Sequence, residues 1–482
     1  MRTFPFIPWW RRSPTFVLAT LGSITGVDLL LWGCYPGWSA GAVCLGAGAM
    51  VAWRWPHVLR QPQSILAALV LGTAALSCVH DVGVLPILLA LAALLVLVRV
   101  GRTGACDTAQ VAVDALTLTS IALTRPFQDQ GLANRWLRRH APLPTPGWSL
   151  WLPAFGIGGV FLAIFALANP VLAQWLGIAW DRIWNVLATL PDPLRIGFWL
   201  VIAGLGWFLL RARLLPYRAR FTSVALPDAR QPTGVPMTVR VLLVANALFL
   251  LQTGMDAVYL WGGAGLPAGM TWAEYAHRGA YPLLAAALVA AVVVLVAFRP
   301  GGAAERQRLA RILVWVWLAQ TVVLMASSWW RLHLYVDAYG FTRWRCAAGL
   351  WMLLVAGGLG LIALRIALRR SNGWLLDANA GLTCLVLLGC AWIDWDGLVA
   401  WGNLERHRAG RGAAIDLDYL ASLGPGALPA LKTLAYGTDS RDEPLRLGAR
   451  NAVDRLQGRF AVALLDCRAW TLVRARAVGF RP

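Results

Sequence analysis

VLLVANALFLLQTGMDAVYLW, Val241–Trp261, carries one ionisable side chain, Asp256, in twenty-one residues. A helix rises 1.5 Å per residue, so a run of this length crosses ~30 Å of hydrocarbon. Working outward, ten more apolar runs fit the same description, at about residues 15–33, 37–53, 64–79, 81–100, 147–167, 194–212, 280–298, 312–330, 346–367 and 380–397, with the quoted run near 239–260. The composition agrees: 59% of the 482 residues are apolar, 14% are charged and the mean hydropathy is +0.61. A soluble domain carries nearer ~25% charged residues. The expected fold is all-α, a polytopic transmembrane bundle of about eleven spans over residues 1–397. A small helical extramembrane tail, 398–482, follows it. Segments 106–140 and 168–190 are apolar but interrupted, by Asp114 in one and Asp181 and Arg182 in the other, and read as interfacial helices.

The net charge of +20 comes almost wholly from arginine, Lys432 being the only lysine. In a soluble chain this charge would suggest nucleic acid. Here arginines flanking spans give a simpler account, since basic residues hold loops on the cytoplasmic side and anionic headgroups attract them. No nucleic-acid partner is expected; the bilayer is. With the N-terminus inside, 24 basic residues fall in loops on that side, six in the opposite loops and 13 in the tail. Eleven spans then place the tail outside. Tryptophans near span ends, including Trp9, Trp10, Trp32, Trp38, Trp53, Trp329 and Trp330, read as interfacial anchors.

An ionisable group inside a span costs roughly 2.5–3.5 kcal/mol on insertion scales, so it needs a partner or a wet cavity. Asp28 in the first span fits a proton or cation site, or a pair with an arginine on a neighbouring helix. In the quoted run Asn246, Gln252, Asp256 and Tyr259 are polar, and the last three share a helical face. That face is expected to point into the bundle, bonding other helices or lining a pathway.

The segment RLHLYVDAYGFTRWR, Arg331–Arg345, reads as an outer loop carrying Arg331, His333, Tyr335, Asp337, Tyr339, Thr342, Arg343 and Arg345. Guanidinium groups beside aromatics suit an anionic small molecule or a lipid headgroup. The plainer alternative is that Asp337 and Glu274 neutralise them and clamp loops together. No zinc, Walker, nucleophile-elbow or kinase motif occurs, and neither a metal nor a cofactor is expected. Cys34 and Cys346, both near the outer face, could pair, although spacing alone fixes no connectivity. Gly22, Gly26, Gly357, Gly358 and Gly360 suggest close helix packing. In the tail, Asp416 should cap a short helix that Gly424 ends, a second short helix should follow, and a longer one should run from about Glu443 to Arg476.

Four stretches carry a resemblance: GVDLLLWGCYPGWS (26–39), AGMTWAEYAHRGAYPL (268–283), the 331–345 segment and IDLDYLASLGPGALPAL (415–431). Together they resemble bacterial membrane proteins of domain of unknown function 4173, a family related to the one numbered 4153. The resemblance implies a multi-pass bacterial inner-membrane protein and supplies no substrate, cofactor or catalytic residue. It adds Thr271, Tyr275, Arg278, Tyr281, Pro282 and Gly340 to the outer-face positions. Three classes of function follow: foremost a membrane sensor or regulatory scaffold, then a transporter or lipid-handling protein, then an enzyme on a lipid-linked substrate with Glu274 or His333 as base.

Overall fold

α1 (Ser13–Leu31) and α2 (Trp38–Arg54) form a hairpin. Its turn contains Gly33 at φ +72°, a conformation that a Cβ would penalise. α3 (Pro62–His80) starts on a proline whose missing N–H is no loss in a first turn. Gly104 at φ +80° ends α4 (Val84–Thr103), its N–H returning to Val100 O at 2.8 Å. These helices pack through small residues: a Cβ on Gly41 would lie 2.2 Å from Ala75 O. Val51, Leu71, Ala74, Ala93, Leu94 and Leu97 fill the space between them.

The computed structural model describes residues 13–104, 108, 111, 170–187, 192–211, 235–262, 306–410, 414–437 and 443–479, and among them it is all-helical with no strand. α5 (Pro170–Leu187) coincides with the second expected interfacial helix. α6 (Pro193–Arg211) runs antiparallel to α1. α7 (Val235–Met255) ends in a π turn, Asp256–Trp261. α8 (Arg308–Tyr339), α9 (Arg343–Ala367) and α10 (Asn372–Cys390) complete the bundle, with Trp317, Leu318, Met325, Met352 and Leu359 at the centre of a second core. Among the described residues, six helices are long and apolar enough to cross a membrane, namely α3, α4, α7 with its π turn, α8, α9 and α10. α1 and α6 contain shorter apolar stretches, and α2 has 17 residues. The expected spans at 147–167 and 280–298, and most of the 106–140 segment, lie outside the described residues.

The tail begins with α11 (Trp395–Arg408), capped by Asp394, and continues through α12 (Leu417–Ser422), a 3-10 turn (Gly424–Ala427) and α13 (Leu428–Tyr436). α14 (Glu443–Ala463) and α15 (Leu472–Gly479) follow. Asp416 caps α12 through Tyr419 N at 2.9 Å and Gly424 adopts φ +85°, both as expected from sequence. The single long helix expected to Arg476 is instead two, because Asp466 captures Arg468 N (2.9 Å) and starts a 3-10 turn. Leu404, Leu420, Leu431, Val453, Leu456 and Phe460 form a core belonging to the tail itself.

Candidate functional site

The residues that meet at bilayer depth are set by α7 and α8. Asn246 Nδ2 donates to its own Leu242 O (2.7 Å) and across to Leu313 O of α8 (3.1 Å), stitching the two helices together. Nearly three turns further along α7, Arg331 of α8 donates to Asp256, and Gln252 Nε2 donates to the same carboxylate oxygen at 3.0 Å. Asp256 is 0% exposed and the Arg331 side chain 3%. In hydrocarbon an ion pair stands only where both charges are mutually neutralised and hydrogen-bonded. Among the described residues, Asp256 Oδ2 has no hydrogen-bond partner. Tyr259 was expected on the same face. The π turn widens the helix locally, so three residues no longer return to that face. Tyr259 instead borders a shallow apolar depression with Leu251 and Val258.

The segment expected as an outer loop from Arg331 is helix as far as Tyr339. Nothing breaks it before Gly340, which adopts φ +78°, and pairs at i and i+4 support it: His333 with Asp337 at 3.5 Å and Tyr335 with Tyr339 at 5.0 Å between rings. α8 therefore spans 32 residues, ~48 Å, and projects beyond ~30 Å of hydrocarbon.

The other outer-face residues disperse onto different partners. Arg343 grips Asp396 of α11 through Nε (2.5 Å) and Nη2 (2.6 Å) and donates to Leu423 O, while its backbone N–H meets Tyr419 Oη. Arg345 turns back onto Tyr339 O and Gly340 O and lies over the ring of Tyr335. It thereby occupies the C-terminal carbonyls of α8, where a cation is favoured. Asp337 receives Arg406 of α11 at 2.7 Å, Thr342 caps α9 through Arg345 N, and His333 stacks on Trp330. Asn403 closes the grip: its Oδ1 accepts from Phe341 N (2.7 Å) and its Nδ2 donates to Phe341 O (2.9 Å). The patch is thus a clamp between the α8–α9 turn and the tail, with its guanidiniums already engaged. Thr271, Glu274, Tyr275, Arg278, Tyr281 and Pro282 lie outside the described residues.

Asp28 is bound by Arg195 at the start of α6, with Nε to Oδ1 at 3.0 Å, and accepts from Trp199 Nε1 at 2.8 Å. The guanidinium lies over the rings of Trp32 and Trp199. Of the two roles open to Asp28, the pair with an arginine on a neighbouring helix describes its surroundings.

Sequence reasoning missed a second seam. The break between α14 and α15 lays Cys467–Trp470 against the α1–α2 turn. Trp38 N donates to Trp470 O (3.1 Å), Trp38 Nε1 to Cys467 O (2.7 Å), Arg468 to Leu29 O (2.7 Å) and Arg474 to Pro36 O (2.8 Å). Gly37 permits this approach, since a Cβ there would lie 2.4 Å from Arg468 O. Nearby, burial pushes the Asp81 carboxyl above the usual range, and Asp394 and Asp396 add to it. Asp394 is raised by burial as well, and burial lowers Arg474. Cys34 and Cys346 are both free thiols. The tail thus touches the α1–α2 turn, the α8–α9 turn and the end of α3, which share one side of the bundle. The arginine-bearing ends at Arg54, Arg102 and Arg369 lie on the other.

Comparison with known families was decisive here. The model of a domain of unknown function, DUF4153, matches residues 64–434. The chain belongs to the DUF4153 family. The four stretches resemble the 4173 family, whereas the match that is found is to DUF4153. No curated protein and no solved structure matches the chain. The DUF4153 match takes in α3 to α13, hence the Asp256–Arg331 pair and the α8–tail clamp. Asp28 and the 467–474 seam fall outside it.

Proposed function

We propose that this DUF4153 protein is a sensor or regulatory scaffold of a bacterial inner membrane, with a cytoplasmic N-terminus and a tail on the periplasmic side. The observation that carries this is the course of α8. One unbroken helix holds Asp256 in the bundle through Arg331, and a turn and a half later is held by the tail through Asp337 and Arg406. A ligand or partner that shifts the tail must load α8, and α8 ends its buried part on a charge pair with no aqueous alternative. Buried ionic contacts of this kind suit discrete, two-state rearrangements better than graded ones. The orientation rests on the arginine imbalance between the two sides.

Hydrogen exchange on the full-length protein in lipid nanodiscs tests the scaffold. Asp256→Asn should speed exchange in residues 395–408 as well as around 256–261. A change confined to α7 and α8 would leave the tail uncoupled and overturn the proposal. The transporter alternative draws on Asp256 itself, whose second oxygen has no partner among the described residues beside a π turn. Loss of proton-coupled flux in vesicles carrying Asp256→Asn would favour it.

A further inference from the structure

Between α1 and α2, backed by α4 and flanked by α6, lies a half-open groove of about 900 Å³. That volume is at the upper end of the range of pockets that enclose small ligands. It runs along α1 from Thr15 to Leu30, ~22 Å at helical rise, over the apolar stretch Leu18–Leu31. Its walls are mostly hydrocarbon, with Leu18, Val27, Leu94, Val98, Leu205 and Leu209 among the lining residues. The Ser23 hydroxyl on its wall donates to Ala19 O at 2.8 Å, inside its own helix.

The glycines of this groove contradict the expectation of close packing at Gly22 and Gly26. A Cβ built on Gly22, Gly26 or Gly46 would meet no atom within 4 Å. Glycine is disfavoured relative to alanine inside a helix, because its backbone loses more freedom on folding. At these positions no helix among the described residues needs the room. What the three share is the groove, which any larger side chain would narrow.

We propose that the groove is a binding site for an acyl chain of a membrane phospholipid. An apolar recess facing lipid does not stay empty, because its walls would forgo dispersion contacts that hydrocarbon supplies. A helix is the wrong shape to fill it. α1 and α2 already touch at Ser23 Oγ and Met50 Sδ, 3.5 Å apart, and a helix with side chains is ~10 Å across. A flexible chain can lie along such a seam. The groove belongs to the N-terminal hairpin and is independent of the α8 coupling proposed above.

Native mass spectrometry of the full-length protein, purified in mild detergent, gives the test. Delipidated protein titrated with palmitoyl-oleoyl phosphatidylglycerol should show one tight lipid adduct. Gly22→Leu and, from the opposite wall, Gly46→Leu should each weaken that adduct at least tenfold while thermal unfolding stays unchanged. Leu385→Ala, on the exposed face of α10, should leave it intact. The proposal is overturned if wild-type protein holds no lipid beyond detergent background, or if well-folded Gly22→Leu and Gly46→Leu proteins both bind as wild type does. It is equally overturned if the substitutions break up a dimer and leave lipid untouched, since a second copy would then be the occupant.

Discussion

Arg331 and Asp256 are bound to each other at a depth where neither touches solvent, joining α8 to the first residue of the π turn that ends α7. Removing one partner strands a charge in hydrocarbon. Arg331→Ala or Asp256→Ala should therefore cost about 3–5 kcal/mol, whereas the double replacement Asp256→Leu with Arg331→Met should recover most of it. Denaturant unfolding in detergent micelles measures this. Equal losses in single and double variants would mean that the pair is not held as described.

Gly340 sits at φ +78°, ψ −178°, a region open essentially to glycine, and a Cβ there would lie 2.5 Å from Asn403 Oδ1. Gly340→Ala should strain the turn by about 1–3 kcal/mol and push Asn403 off Phe341. Asn403→Ala should cost about 1–3 kcal/mol by orphaning the Phe341 N–H and C=O. Limited proteolysis between residues 391 and 410 should accelerate in both variants. Unchanged cleavage would show that the tail is held elsewhere.

Burial raises the Asp81 carboxyl above the ordinary aspartate value of 3.8, and Asp394 and Asp396 reinforce it. The folded chain then binds this proton more readily than the unfolded chain. Stability linked to the group is greatest below 3.8 and declines as pH rises from there through the folded value. Asp81→Asn should raise the melting temperature at pH 8, and the gain should shrink towards pH 4. A gain that grows on acidification would reverse the assigned sign.

A reporter fused after Pro482 tests sidedness. Activity of a periplasmic reporter, and silence of a cytoplasmic one, is the expected outcome. The converse would invert the bundle and put the arginine-bearing ends at Arg54, Arg102 and Arg369 on the periplasmic side, against the charge imbalance.

Much of this could be read before any coordinates. Apolar run length located α3, α4 and α7 to α10, because hydrocarbon thickness admits few alternatives, and Asp416 and Gly424 marked their turns by local chemistry. The misplaced features have physical causes. Arg331–Tyr339 is rich in polar side chains and reads as a loop, yet its His333–Asp337 and Tyr335–Tyr339 spacings are helical. The break after Ala463 has no glycine or proline to announce it; only Asp466, as a cap, does. Arg195 for Asp28 and Arg406 for Asp337 are separated by 167 and 69 residues, and a single sequence holds no record of such distant pairings. The glycines of α1 carry a packing pattern, yet among the described residues no helix lies against Gly22 or Gly26.

The seam between Cys467–Arg474 and the α1–α2 turn has a consequence for how the molecule is made. The α1–α2 turn is fastened by residues translated much later, 429 positions on for Trp38 with Cys467 and 438 for Pro36 with Arg474, so Trp38 and Pro36 wait for their partners while the bundle between is made. A chain arrested before Arg468 could insert every span and still present an unlatched hairpin. Translation through Arg474 is in this way written into the shape of that side of the bundle, where a quality-control protease could sense its absence.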